Sequence, residues 1–271
     1  MSGTRILYVT SEIEPFLKIT DVADFVRKLP QAMQEKGMEI RILMPRFGII
    51  NERKNRLHEV VRLSGTNIPV GTDEHPLIIK VASIPSAKLQ VYFIDNEDYF
   101  KRKTIFHDKN DDWCEDNDER AIFFCKGVIE TIKKLGWAPD IVHCNDWMTG
   151  LIPLYLKTIY KDEPMFKDSK MVFSIHDFVF EDMKEVNLSE KALKNDLDSQ
   201  NLGLFSTGYN GFIKLGAIHS DIVLDSTNDS VGLNAVLKDC NVATQVIAKD
   251  DAEIDNYFDM YAVLLENKEL V

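Results

Sequence analysis

Residues 5–37 read RILYVTSEIEPFLKITDVADFVRKLPQAMQEKG and contain a strand, a turn and a helix in that order. Residues 5–10 are mostly apolar and β-branched, which predicts a buried strand. Apolar side chains then recur at helical spacing: Val22, Phe25, Val26 and Leu29. The predicted helix ends at Gly37, and Pro30 inside it predicts a kink or a break. This unit is typical of an α/β protein.

The same alternation of strands and helices continues along the chain. Further strand-like runs are residues 39–44, 77–83, 89–94, 140–144, 171–175 and 221–224. The strongest helical pattern, DERAIFFCKGVIETIKKLG, covers residues 118–136. Such an order implies a mostly parallel sheet with helices on both faces. We therefore predict an α/β fold: a doubly wound, mostly parallel sheet in a Rossmann-like three-layer sandwich, formed by residues 1–271 as a single domain.

Composition narrows the classes of partner. The 271 residues carry 32 Lys and Arg against 44 Asp and Glu, a net charge of −12. An acidic surface repels nucleic acid and anionic lipid, so we expect neither partner. The first residues lack the basic segment and long apolar run of a secretory signal. No stretch approaches the ~20 apolar residues of a membrane span. The four cysteines are scattered and lack the paired spacing of a metal site. These features favour a cytoplasmic protein with reduced thiols and without a metal site.

Candidate ligand-binding side chains follow the predicted strands. The first strand leads to Lys18; HCNDWMT covers residues 143–149, and SIHDF covers residues 174–178. Ligands of parallel sheets bind at the carboxyl ends of the strands, so these groups are expected to converge. Carboxylates, amides and aromatic faces suit the hydroxyls and C–H surfaces of carbohydrates.

Each candidate also has a purely structural interpretation. Asn145 and Asp146 could cap the next helix, as could Asp116 or Asn117. Trp147 could be a core residue instead of a sugar platform, and His176 could be a hydrogen-bonded part of the scaffold. Two polar segments, residues 100–119 and 181–200, are expected at the surface, the first as a long functional or mobile loop.

In this order, several segments resemble one family. They are RILYVTSEIEPFLK, RILMPRFG, DNEDYFKR, EDNDERAIFFCKGVIE, LGWAPDIVHCNDWMTGLIPLYLK, FSIHDF and GFIKLGAIHSDIV. The chain resembles the N-terminal domain of bacterial glycogen synthases and plant starch synthases, from about residue 5 to residue 223. These are retaining glucosyltransferases with the two-domain GT-B fold. The resemblance implies a sugar-binding site at the strand ends.

The chain also departs from this family. The family's first turn contains two glycines that approach the phosphates of the sugar donor, and Thr20 and Asp21 stand in their place here. A histidine of the family's HxHDW block is replaced by Asn145. In the family a second domain supplies most nucleotide contacts, and about fifty residues follow Asp221 here. We therefore expect a shortened, one-domain form in which residues 250–271 form a C-terminal helix that packs back on the domain.

Two functions follow from the resemblance. We predict an α-glucan or small-sugar binding or regulatory module that lacks the donor-nucleotide domain, with a homo-oligomer or a protein partner also open. The alternative is a glycosyltransferase that elongates α-1,4-glucan from ADP-glucose or UDP-glucose. We expect such an enzyme to be inactive alone, and a partner subunit is left open. No cofactor, no metal and no confident catalytic residue is predicted. The substrate-binding candidates are Lys18, Asp24, Asp116, Asn117, Arg120, His143, Asn145, Asp146, Trp147 and His176.

Overall fold

The computed structural model describes residues 3–84, 87–177, 209–247 and 252–266. Within these ranges, the strands in chain order are β1 (Arg5–Val9), β2 (Glu39–Pro45), β3 (His58–Glu59), β4 (Asn67–Val70), β5 (Asp73–Pro76), β6 (Ile78–Ile84), β7 (Leu89–Asp95), β8 (Ile141–Asn145), β9 (Lys170–His176), β10 (Ile222–Ser226) and β11 (Thr244–Gln245). Nine of them form one sheet in the order β11-β10-β9-β8-β1-β2-β7-β6-β3, and β4 and β5 form a separate hairpin.

Most of the large sheet is parallel. Every pair from β11 to β7 runs parallel, and only β6 and β3 add antiparallel edges. Strand β8 is buried at every position, and β9 is buried from Met171 to His176. Because successive side chains of a strand point to opposite faces, continuous burial requires cover on both faces. The predicted α/β fold with a doubly wound, mostly parallel sheet is confirmed.

The described helices connect and cover these strands. They are α1 (Val22–Glu35), α2 (Glu52–Asn55), α3 (Glu97–Phe100), α4 (Asn117–Leu135), α5 (Leu151–Lys157), α6 (Tyr209–Ile218), α7 (Ser230–Leu237) and α8 (Glu253–Glu266), with a 3₁₀ turn at Trp147–Thr149. Among the helices in the described ranges, none combines the length and the apolar character needed to cross a membrane.

Helix α1 runs without interruption through Pro30. The break that we considered at this proline is therefore wrong. A proline inside a helix removes one backbone hydrogen bond and costs about 3 kcal/mol. Pro30 lies on the buried face of α1 together with Leu29 and Met33, so apolar burial offsets that cost. The predicted helix end is close, since Gly37 follows the C-cap and has a positive φ of 91°.

The other predicted elements match to within a few residues. Strand β11 is short, with Thr244 and Gln245 paired with β10. Between α3 and α4 lies an irregular segment, as expected for residues 100–119. The polar segment 181–200 lies outside the described residues.

Candidate functional site

Three neighbouring strands end side by side at one edge of the sheet. In their register, Asn145 of β8 faces Ser174 of β9, and His176 of β9 faces Ser226 of β10. The carboxyl ends of these strands therefore bring the two predicted motifs together. The side chains divide into a buried group and a group at a cavity.

His143 is the centre of the buried group. Its Nδ1 lies 2.6 Å from the hydroxyl of Tyr261 on α8, and its Nε2 lies 2.6 Å from the hydroxyl of Ser174. The Tyr261 hydroxyl is also 3.2 Å from that of Tyr8 on β1. We call these four residues the His143 network. Burial, helped by the neighbouring His176, lowers the pKa of His143 from 6.5 to about 3, so the imidazole is neutral near pH 7.

Asn145 connects the interior to the cavity. Its Oδ1 lies 3.2 Å from Nε2 of His176, and its amide group donates to the carbonyl of Val9 at 3.3 Å. His176 is almost buried, and it lines the cavity described below. The predicted pair Asn145 and His176 is therefore joined by a direct hydrogen bond.

Asp146 has an unusual backbone and a buried carboxyl group. Its φ of 66° and ψ of 174° lie in a region that is essentially restricted to glycine. One carboxyl oxygen accepts the backbone N–H of His176 at 3.2 Å, and the other has no hydrogen-bond partner among the described residues. Burial raises the pKa of Asp146 well above its usual range, and the carboxylates of Glu12 and Asp177 act in the same direction. Burial therefore disfavours the ionised form of the Asp146 carboxyl group.

Trp147 lies in the interior. Its ring packs against Phe106, Trp113 and Phe212, with centroid separations of 5.2, 5.8 and 5.4 Å. The side chain is completely buried and is absent from the cavity wall. In this arrangement Trp147 is a core residue and presents no face to a ligand.

The first turn is organised by a buried carboxylate. Glu12 accepts hydrogen bonds from the backbone N–H groups of Ile19 and Thr20, at 2.5 and 2.8 Å, and from the Thr20 hydroxyl at 2.6 Å. Burial raises the pKa of Glu12, and these hydrogen bonds act against that shift. Two backbone donors and one hydroxyl of the turn are thus occupied by the protein's own carboxyl group.

Lys18 and Asp24 form an ion pair at the exposed end of this turn. Lys18 Nζ lies 2.5 Å from the Asp24 carboxylate and 3.8 Å from that of Asp21. The hydrogen bond with Asp24 raises the pKa of Lys18, and the same bond lowers the pKa of Asp24. Both groups are ionised near pH 7 and neutralise each other.

The remaining three candidates lie elsewhere, under the irregular segment before α4. Asp116 precedes α4 but makes no capping bond with its side chain, which instead pairs with Arg102. Asn117 donates to the carbonyl of Phe106 at 2.7 Å, and Arg120 donates to the Asn117 amide oxygen at 2.7 Å and to the Ile105 carbonyl. The Arg120 guanidinium also lies 5.2 and 5.3 Å from the ring centroids of Phe47 and Phe100. Burial and Arg102 lower its pKa to about 10. These contacts indicate that Asp116, Asn117 and Arg120 stabilise the fold of this segment.

A cavity of about 790 Å³ lies between α1, α8 and the ends of β9 and β10. Asp24 and His176 are the predicted site residues that line it. One stripe of α1 forms a wall, and its polar members recur at helical spacing: Asp24, Lys28, Gln31 and Glu35. The other lining residues are Thr20, Asp21, Val22, Phe25, Ala32, Asp177, Ser226, Asn228, Ile247, Glu253, Ile254 and Tyr257. We call this space the α1–α8 cavity.

The sequence predicts a C-terminal helix within residues 250–271 that packs back on the domain, but it does not predict that this helix, α8, lines the cavity and contacts His143. Tyr257, Met260, Tyr261 and Leu264 are its buried side chains, at the spacing of one helix face. That pattern was visible in the sequence, but it does not reveal which part of the sheet the helix contacts. Among the described residues, no cluster of three His, Cys, Asp or Glu side chains is arranged to hold a metal ion.

The fold is that of an α/β domain with a mostly parallel sheet and polar side chains at its strand ends, and comparison with known proteins identifies the family. The family model of the starch synthase catalytic domain matches residues 5–226. The chain belongs to this family. Over 248 aligned residues it is 39% identical to a glycogen synthase of Chlorobium limicola, and the alignment covers 87% of this chain and 50% of that protein. It is 43% identical over 196 residues to one of Pelodictyon phaeoclathratiforme, with 72% and 40% coverage.

A solved structure shows the same fold. The catalytic domain of starch synthase IV from Arabidopsis thaliana, bound to ADP and acarbose, superposes with a TM-score of 0.67 at 21% identity, over 82% of this chain and 45% of that one. The chain spans about half the length of the curated relatives that it matches. The resemblance to glycogen and starch synthases is therefore confirmed, while the predicted one-domain organisation stays a prediction.

Proposed function

We propose that this chain binds a neutral saccharide, an α-glucan or a small sugar, in the α1–α8 cavity. The observation that carries the proposal is the charge of the cavity wall. Its acidic members are Asp21, Asp24, Glu35, Asp177 and Glu253, against Lys28 as its basic member. Such a wall repels the phosphates of a sugar nucleotide, because two like charges ~4 Å apart cost about 4 kcal/mol at an effective dielectric near 20. It does not repel sugar hydroxyls, which can donate hydrogen bonds to carboxylates.

The composition of the wall also suits a saccharide. The wall includes the amide groups of Gln31 and Asn228, the hydroxyl of Ser226 and the ring of Phe25. Phe25 is half-buried, and its centroid lies 5.4 Å from that of His176. Polar groups that exchange hydrogen bonds with hydroxyls, beside an aromatic face for C–H surfaces, are suited to carbohydrate binding.

The first turn supports a neutral ligand for a second reason. Backbone N–H groups at the start of a helix are the usual phosphate-binding groups of such a fold. Here Glu12 accepts the N–H groups of Ile19 and Thr20, and Asp24 neutralises Lys18. Both backbone N–H groups are therefore occupied by Glu12, and the charge of Lys18 is balanced by Asp24, so neither attracts a diphosphate strongly.

Family membership favours a second candidate function. Relatives named glycogen synthase share 39–43% of aligned residues with this chain, and the similar Arabidopsis domain binds ADP and acarbose. A glucosyltransferase that elongates α-1,4-glucan from ADP-glucose or UDP-glucose, alone or with a partner subunit, would follow from that relationship. Incubation of the purified chain with labelled ADP-glucose and glycogen tests this candidate. Sustained incorporation of label would establish it and overturn a binding role alone.

The binding proposal is tested by titration calorimetry with maltoheptaose and, separately, with ADP. We expect heat of binding with maltoheptaose and none with ADP. His176→Ala should weaken maltoheptaose binding roughly fivefold, because one hydrogen bond is worth about 1 kcal/mol. His58→Ala is the matched control, since His58 is exposed on β3 at the far edge of the sheet. Tight ADP binding without saccharide binding would overturn the proposal.

The expected cellular location is part of the same proposal. Cys114, Cys125, Cys144 and Cys240 are free thiols in the structure. Free thiols support the cytoplasmic location expected from the sequence. The homo-oligomer or protein partner stays a prediction.

A further inference from the structure

Helix α8 is held to the rest of the molecule by polar contacts as well as by its apolar face. Lys36, at the end of α1, lies 2.7 Å from the Asp255 carboxylate and 4.8 Å from the ring centroid of Phe258. Tyr257 contacts Phe25 of α1, with ring centroids 5.4 Å apart. These contacts join α8 to both ends of α1.

The deepest contact of α8 is the Tyr261 hydroxyl. It reaches His143 on β8 and Tyr8 on β1, which precede it by 118 and 253 residues. All three side chains are almost completely buried. A buried hydroxyl that loses its hydrogen-bond partners destabilises the folded state, so these hydrogen bonds hold the helix in one position on the sheet.

The same helix supplies one wall of the α1–α8 cavity. Glu253 and Ile254 in its first turn are half-buried and line the space, and Tyr257 lies at its floor with 1% of its surface exposed. Asp24, Lys28 and Glu35 of α1 lie on the opposite wall. If α8 left the sheet, the cavity would lose this wall and become an open surface.

We infer that α8 is an integral wall of the saccharide site, with Glu253 as a ligand-contacting acceptor and Tyr261 as a positioning residue that acts through His143. This inference rests on the proposed saccharide binding. A ligand that binds only the docked form stabilises docking by mass action. Saccharide binding and the attachment of α8 are therefore coupled. His143 touches no ligand; its hydrogen bond with Tyr261 contributes by holding α8 in place.

Hydrogen–deuterium exchange of the full chain tests the coupling, with maltoheptaose as the probe. At a concentration 100 times the Kd, the backbone amides of α8 should exchange up to about 100-fold more slowly than without saccharide. Tyr261→Phe keeps the ring and removes the hydroxyl. It should speed the exchange of α8 without saccharide and weaken maltoheptaose binding several-fold. Glu253→Gln should weaken binding while leaving the exchange of the unliganded helix unchanged.

Two further variants separate coupling from general damage. Asp255→Asn removes the pair with Lys36 at the surface and should loosen α8 mildly if Tyr261→Phe fails to fold. Val263→Ala changes an exposed side chain of α8 and should match the original chain in exchange and affinity. If maltoheptaose binds but leaves α8 exchange unchanged, or if the Tyr261 and Glu253 variants bind normally, the inference is wrong and the proposed function stands. If no saccharide binds to the original chain, the proposed function is wrong and the inference falls with it.

Discussion

The His143 network and the α1–α8 cavity lie next to each other at the strand ends, yet they have opposite surroundings. His143 and its partners are buried, neutral and saturated with hydrogen bonds. The cavity wall carries ionised, partly exposed side chains from two helices. Most residues of the conspicuous motifs thus stabilise the interior. Of the predicted site residues, His176 and Asp24 reach the cavity, and most of the remaining wall comes from less conspicuous helix faces. A recognisable sequence motif therefore does not by itself identify the side chains that are accessible to a ligand.

The largest expected effect on stability tests whether Trp147 is a residue of the buried interior and not of the ligand site. Trp147→Ala removes a fully buried ring and should lower the free energy of unfolding by about 3–5 kcal/mol, measured by urea denaturation. Trp147→Phe should lower it less. The folded variant should bind maltoheptaose with the original affinity. Lost affinity at unchanged stability would instead make Trp147 part of the ligand site.

A pH series tests the neutrality of the interior. The folded protein holds the pKa of His143 at about 3, whereas the unfolded chain has about 6.5, so the unfolded chain binds the proton more readily. The free energy of unfolding should therefore fall as pH drops below 6.5, by about 1.4 kcal/mol per pH unit until pH 3. The groups facing His143 are Tyr8, Tyr257 and Tyr261, with His176 nearby, and none of the tyrosines ionises in this range.

His143→Gln isolates this contribution from other titrating groups. Glutamine keeps polar atoms for hydrogen bonds but has no proton to gain, so urea denaturation between pH 7 and pH 4.5 should show a flatter dependence. His219, whose pKa burial also lowers, is present in both proteins and cancels in the difference. Equal slopes would show that His143 is not held neutral.

The smallest expected effect concerns the cavity side. Asp24→Asn removes an exposed carboxylate that pairs with Lys18, so the urea midpoint should hardly move. The released Lys18 should give weak binding of inorganic phosphate that disappears with added salt. Asp73→Asn, at an exposed position of β5, is the control. Phosphate binding that is absent in the Asp24 variant would show that other charges, such as Asp21, dominate the turn.

Most of the fold could be predicted because hydrophobic spacing reports burial directly. The strand of residues 5–10 and the helix after it appear as β1 and α1 with small shifts at their ends. Pro30 was misjudged because local propensity suggested a break, and tertiary burial of the helix face outweighs it. Asp116 or Asn117 was considered as a cap of α4, but the Asp116 carboxylate pairs with Arg102, which sequence spacing could not identify.

The candidate site was predictable in part for the same reason. Parallel strands end at one edge, so the proximity of Asn145 and His176 followed from the sequence pattern, and their hydrogen bond agrees with it. The degree of burial did not follow, since it depends on what covers each strand end. His143 lies under Tyr261 of α8, and Trp147 lies among rings from two other segments.

By itself, the sequence determined the alternation of strands and helices, the parallel sheet and the family, because these depend on local periodicity and on the order of short segments. Only the tertiary structure decided which polar groups face a ligand and which are sealed inside. That division depends on contacts between residues more than a hundred positions apart, such as Tyr261 with His143, and no local pattern encodes them.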